Sequence, residues 1–201
     1  MVIPQGIYRL RKRLLGILAD ADNGLSSTLR ELLQSLAHEL SALDTSVAEV
    51  TPRLTRISRD LDACQRLQEM DGLGPLNATA LVAALGHGHD FRNGRQVAAW
   101  LGLVPRQYSS GGKTRFAGMS KRGNRYLRCL LMHGARSVVS RARMKTEATS
   151  LWIRQLVVRA GVNKACVAVA NKMARVAWAL LRTGEHDRKP EQLQGQVASY
   201  Q

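Results

Sequence analysis

From Leu25 to Cys64 the apolar positions step by threes and fours: Leu25, Leu29, Leu32, Leu36, Leu40, Leu43, Val47, Val50, Leu54, Ile57, Leu61 and Cys64. That alternation is the spacing of a coiled-coil seam, and it predicts one long helix. Thr28 with Glu31 fits a capping box at its start. Pro52 is expected to kink or break the helix near Val50, since it lacks an N–H and its ring crowds the preceding turn. A single apolar stripe needs a cover. Either a second copy supplies it, giving a homo-oligomer, or a short basic amphipathic helix over 7–20 folds back past an Asn23-Gly24 turn as an intrachain hairpin.

The pattern changes at residues 68–86. Gly72-Leu73-Gly74-Pro75 separates two helical stretches, as in a helix-hairpin-helix. There Gly72 and Gly74 would let a phosphate approach the backbone and the next helix N-terminus; the alternative is a tight helix–helix turn. A short helix over 94–103 should bury Val97, Trp100 and Leu101. Residues 104–120 read as a Ser-Gly loop, with at most a short ribbon around Gln107–Tyr108 and Arg115–Phe116. A helix entered near Asn124 carries Leu127, Leu130, Leu131 and Ala135 on one face, with Arg122, Arg125, Arg128 and Arg136 around it. Helices over 148–160 and 163–182 follow, the last rich in small residues that suit a tight core. The expected fold class is all-α: a long coiled-coil helix, then a helix-hairpin-helix-containing basic helical domain with a Ser-Gly loop. The expected divisions are an N-terminal helix and coiled-coil region over 1–67, a basic domain over 68–184 and a disordered tail over 185–201.

Charge sharpens this picture. The 201 residues carry a formal charge of +15, but residues 91–184 hold 19 Lys/Arg and one acid, Glu147, a net of +18. Residues 1–90 are slightly acidic, with 9 bases and 11 acids. A basic block of that density repels itself unless a polyanion covers it, and nucleic acid is the expected partner. Apolar residues at 45% are too many for a disordered basic tail, and aromatics at 4% are too few for a binder that stacks bases on many rings. No apolar run approaches the ~18 residues of a membrane span, so no membrane partner is expected. The N-terminus turns from apolar to basic, the reverse of a signal peptide. Cys64, Cys129 and Cys166 are scattered without metal spacing, which fits reduced thiols in a cytoplasmic protein. His87 and His89-Asp90 have no further ligand near in sequence, and no metal site is expected in this chain.

Ser109-Ser110-Gly111-Gly112-Lys113 lies among Arg106, Lys113, Arg115, Lys121, Arg122 and Arg125. A serine hydroxyl attacks a phosphodiester only when held in line, and cations around it stabilise the charge that grows on the phosphate oxygens. By composition alone, simple phosphate binding is the favoured reading.

Four blocks decide between these by resemblance: DGLGPLNATALVAALG, FRNGRQVAAWLGLVPRQYSSGGK, GMSKRGNRYLRCLLMHGAR and NKACVAVANKMARVAWALL. In this order they cover Met70 to about Leu181, and they resemble the C-terminal domain of the insertion sequence one-ten family of transposases, with its eleven-eleven branch. The family also includes pilin-gene DNA invertases. The resemblance implies DNA recombination with a serine nucleophile matching Ser110, with Ser109 in reserve. It also implies a coiled coil that assembles protomers, and in several members a structured guide RNA. A resolvase-like N-terminal domain with four acidic residues would hold divalent metal, so no cofactor is expected in this chain itself. Only 24 residues precede Leu25, too few for that domain, and Asp20 and Asp22 read as solvated turn residues. By resemblance the chain is therefore the C-terminal portion of such a recombinase, expected to bind DNA or RNA and to recombine poorly or not at all. The alternative is a non-catalytic nucleic-acid-binding remnant.

Overall fold

The computed structural model describes residues 7–110 and 113–187; the side chains of Ile7, Tyr8, Ser109, Ser110 and Thr114 lie outside that description. The described residues form α1 (Ile7–Ala19), α2 (Ser27–Asp60), α3 (Asp62–Gln68), α4 (Pro75–Leu85), α5 (Gly94–Trp100), β1 (Pro105–Ser110), β2 (Lys113–Met119), α6 (Arg125–Arg141), α7 (Ala148–Ala160) and α8 (Val162–Thr183). The fold is mainly α, with one two-stranded antiparallel ribbon. The chain divides into two compact units, Met1–Arg53 and Leu54–Gln201.

In the first unit α1 folds back along α2. Arg11 pairs with Asp44 at 3.0 Å, and the Arg30 guanidinium donates to the Leu18 carbonyl at 2.5 Å and to Asn23 Oδ1 at 3.0 Å. The intrachain hairpin therefore forms, yet it leaves the α2 stripe uncovered: Leu29, Leu32, Leu36, Leu43, Val47 and Val50 are all exposed. Two sequence expectations change here. The cap is Ser26, whose Oγ accepts from the Leu29 N–H at 3.3 Å, not Thr28. Pro52 does not break α2, which continues to Asp60. One proline removes one backbone bond, and neighbouring hydroxyls join the ladder, with Thr51 Oγ1 donating to the Val47 carbonyl at 2.7 Å. The break comes instead at Leu61, which is extended at φ −97° and ψ 112°.

The second unit is built around α8, against which α3, α4, α5, α6 and α7 all pack. Its buried face, including Ala165, Ala170, Ala174 and Ala177, is small enough to let those helices approach closely. Leu67, Leu81, Leu101, Leu127, Leu131 and Ile153 fill the space between them. Helix α5 ends at Trp100, and its buried side is Val97 and Ala98 with the following Leu101 and Leu103; Trp100 itself is partly exposed, against expectation. At the other end, Glu69 accepts from the Asp187 N–H at 3.0 Å and lies 2.7 Å from His186 Nδ1, a contact that lowers the Glu69 carboxyl from its ordinary value. Most of the predicted tail, residues 188–201, lies outside the described residues.

The Ser-Gly segment is strand, not open loop, up to positions 110 and 113. Register pairs Gln107 with Phe116, Tyr108 with Arg115, Ser109 with Thr114 and Ser110 with Lys113, with an irregularity between Pro105 and Gln107. Polar alternation along both arms and a two-residue Gly-Gly connection are what a hairpin needs.

Candidate nucleic-acid interface

The ribbon stands on a socket made by two turns from distant parts of the chain. One turn follows α5 at Leu101-Gly102; the other precedes α6 at Lys121-Arg122-Gly123. The Lys121 N–H donates to the Gly102 carbonyl at 3.2 Å, and the Ser120 N–H to the Val104 carbonyl at 2.8 Å. The turns touch so closely that a Cβ on Gly102 would lie 2.1 Å from the Arg122 carbonyl oxygen, and one on Gly123 1.8 Å from that of Trp100. Both glycines also have positive φ, 71° and 94°, so each is required twice over. Leu101 and Leu103 root the first turn in the core, and Asn171 Nδ2 donates to the Leu103 carbonyl at 3.1 Å from α8.

Arg128 completes the socket. The sequence placed it among the surface cations, but it is only 8% exposed. Its Nη1 donates to the Leu101 carbonyl at 2.9 Å and lies 3.5 Å from that of Arg122, so one guanidinium bridges both turns. A buried guanidinium needs such acceptors, and these two carbonyls are otherwise open turn ends. Arg128 thus supports the ribbon from below and is corrected from contact residue to scaffold.

The other six predicted cations are exposed: Arg106, Lys113 and Arg115 on the ribbon, Lys121 and Arg122 in the turn, and Arg125 opening α6. None forms an ion pair with a described residue. Asn124 fixes where α6 begins, its side chain accepting from the Leu127 N–H at 3.1 Å. The ribbon also carries two exposed rings, Tyr108 and Phe116, to which the sequence pattern assigns no role although both fall in the expected short ribbon. Ser109 and Ser110 are placed by backbone pairing alone.

The Gly72–Gly74 turn is a separate feature. A Cβ on Gly72 would meet the Gly134 carbonyl oxygen at 2.7 Å, so Gly72 is spent on packing α6 and not on an open surface. Gly134 lies about 13 Å along α6 from Arg125, at ~1.5 Å per residue. Gly74, which caps α4, has open space beside it. Asp20 Oδ1 accepts from the Asp22 N–H at 3.0 Å in a turn. Among the described residues no three His, Cys, Asp or Glu side chains converge as metal ligands. No described helix is long and apolar enough to cross a membrane.

Comparison with known proteins relates part of this architecture to a family. Residues 64–150 match the family model described as "Transposase IS116/IS110/IS902 family". This segment is similar to the transposase domain of that family. It contains most of α3, all of α4 to α6, and the ribbon with its two supporting turns. The chain is 40% identical over 185 residues to the "Transposase for insertion sequence element IS1111A" of Coxiella burnetii, covering 92% of this chain and 51% of that protein. It is 45% identical over 165 residues to the "Probable family 20 transposase" of Pseudomonas aeruginosa, covering 82% and 49%. A third relative, the "Transposase for insertion sequence element IS1328" of Yersinia enterocolitica, is 34% identical over 182 residues, covering 90% and 54%. The chain thus spans about half the length of the curated relatives it matches. In this segment six exposed cations without a described ion pair lie on the ribbon, in the turn beneath it and at the start of α6, while the Gly72 turn serves the core.

Proposed function

We propose that this chain is the nucleic-acid-binding, serine-bearing part of an insertion sequence transposase, and that its ribbon carries the reaction. The observation that carries this is the register. Position 110 falls on the same ribbon face as Lys113 and Arg115, whereas position 109 falls on the face with Gln107 and Phe116. That register supports Ser110 over Ser109 as the proposed nucleophile. In the proposed step the Ser110 oxygen bonds to phosphorus, the bond from phosphorus to one sugar oxygen breaks, and that oxygen leaves with a proton as a hydroxyl. Lys113 and Arg115 hold the phosphate oxygens as charge accumulates on them. Arg106, Lys121, Arg122 and Arg125 position the backbone without reading sequence.

The partners follow from the same surfaces. DNA is the substrate polyanion, and a structured guide RNA would use the same phosphate contacts. The exposed α2 stripe is the proposed seat of a second copy, since Val47 at 64% exposure is among several large apolar residues left in water. A second reading is nucleic-acid binding without strand transfer, since the same cations suit simple phosphate binding. A nicked duplex trap separates the two. Strand transfer predicts a protein–DNA adduct that survives denaturing electrophoresis and disappears in Ser110→Ala with binding retained. An adduct lost only in Ser109→Ala moves the nucleophile by one residue, and tight binding with no adduct selects the second reading.

A further inference from the structure

The two faces of the ribbon differ in chemistry. Directly paired residues share a face, and faces alternate along each strand. One face carries Tyr108, Arg115, Lys113 and position 110. The other carries Gln107, Phe116 and positions 109 and 114, none of them charged. The Phe116 ring is 68% exposed, and Tyr108 on the opposite face is 59% exposed. The strands pack mainly on each other. No packing contact among the described residues accounts for a phenyl ring presented to water on the uncharged side of a basic ribbon.

We propose that Phe116 stacks on a base of the nucleic acid whose backbone the Tyr108–Arg115 face holds. The inference rests on the nucleic-acid reading above and adds a division of labour within it. Cations grip phosphates and carry no base information; an uncharged face with a π-surface is what a base requires. Stacking requires a base whose π-face is open, as at unpaired positions, because paired bases present only their edges in a groove. A base is favoured over an apolar pocket on a protein because the ring is flanked by unpaired cations in a segment with 19 bases and one acid. Phe116 lies three positions from Lys113, about 10 Å at ~3.4 Å per residue. The stacked base is then roughly three base steps from the phosphate beside position 110, taking ~3.4 Å per step along a strand.

The experiment uses the full chain and a short fluorescein-labelled duplex carrying unpaired bases, with binding measured across a salt series. Phe116→Ala should weaken binding about tenfold at every salt concentration while leaving the salt slope unchanged. Phe116→Tyr should restore it, which guards against a folding artefact. In Phe116→Trp, fluorescence above the background of Trp100, Trp152 and Trp178 should be quenched when duplex is added. Wild-type affinity in Phe116→Ala with unquenched Phe116→Trp overturns the stacking, and if Lys113→Ala/Arg115→Ala still lowers the salt slope, the nucleic-acid reading survives alone. Binding without any salt dependence in the wild type overturns both.

Discussion

The Arg128 guanidinium donates a 2.9 Å hydrogen bond to the carbonyl oxygen of Leu101, joining α6 to the turn that launches the ribbon. Losing it leaves a buried carbonyl without a charged donor and a gap beneath two turns. Arg128→Met should therefore cost ~2–3 kcal/mol of stability, read by denaturant unfolding. Arg128→Lys should recover only part of this, because an ammonium lacks the planar fork. The salt slope of nucleic-acid binding by the folded variant should stay at the wild-type value. A slope lowered by one, with stability unchanged, would return Arg128 to the contact surface.

The close contact between the two turns makes a second prediction. Gly102→Ala and Gly123→Ala each place a Cβ against backbone at positive φ, and each should cost ~1–3 kcal/mol. Gly118, on β2, has open space within 4 Å of where a Cβ would lie, so Gly118→Ala serves as control. Equal melting temperatures for all three variants would show that the turns are not locked.

The cysteines report on the core directly. Burial pushes the Cys64 and Cys166 thiols up, an effect that Arg136 partly opposes at Cys166, whereas Cys129 is exposed. Thiolate is the reactive form, so a higher pKa and burial act together against reaction. A thiol-reactive chromophore should label one cysteine quickly in the folded chain and all three after unfolding. Rapid labelling of all three without denaturant would contradict the packing around α8.

The α2 stripe predicts self-association. Light scattering should give a mass above that of one chain, and Leu36→Lys/Val47→Lys should reduce it to the monomer value without melting the second compact unit. A wild-type monomer at high concentration would leave the stripe without a second copy to cover it.

Much of the helical framework was legible in the sequence. The 148–160 segment matches α7, and Asn124 signalled the start of α6 because its side chain caps Leu127. The small-residue periodicity of α8 announced its central place. What escaped was tertiary. Arg128 follows Leu127 and precedes Leu131 on α6, and it is the carbonyls of Leu101 and Arg122 that draw its guanidinium inside. The socket could not be seen because Gly102 and Gly123 meet across a hairpin, not along a pattern. The ribbon was glimpsed only at its middle, since polar strands lack an apolar alternation and the Ser-Gly run reads as loop. Pro52 misled because propensity is local, while a helix of 34 residues absorbs one lost bond.

Counterion release tests the central claim most directly: the exposed cations of the ribbon and its turn form a nucleic-acid surface. Filter binding of a short duplex should give a linear fall of log K with log salt. The slope should approach about −5 if all six exposed cations engage phosphates, and Lys113→Ala/Arg115→Ala should reduce its magnitude by about 2. A flat salt dependence, or a slope that this double variant leaves untouched, would contradict the account.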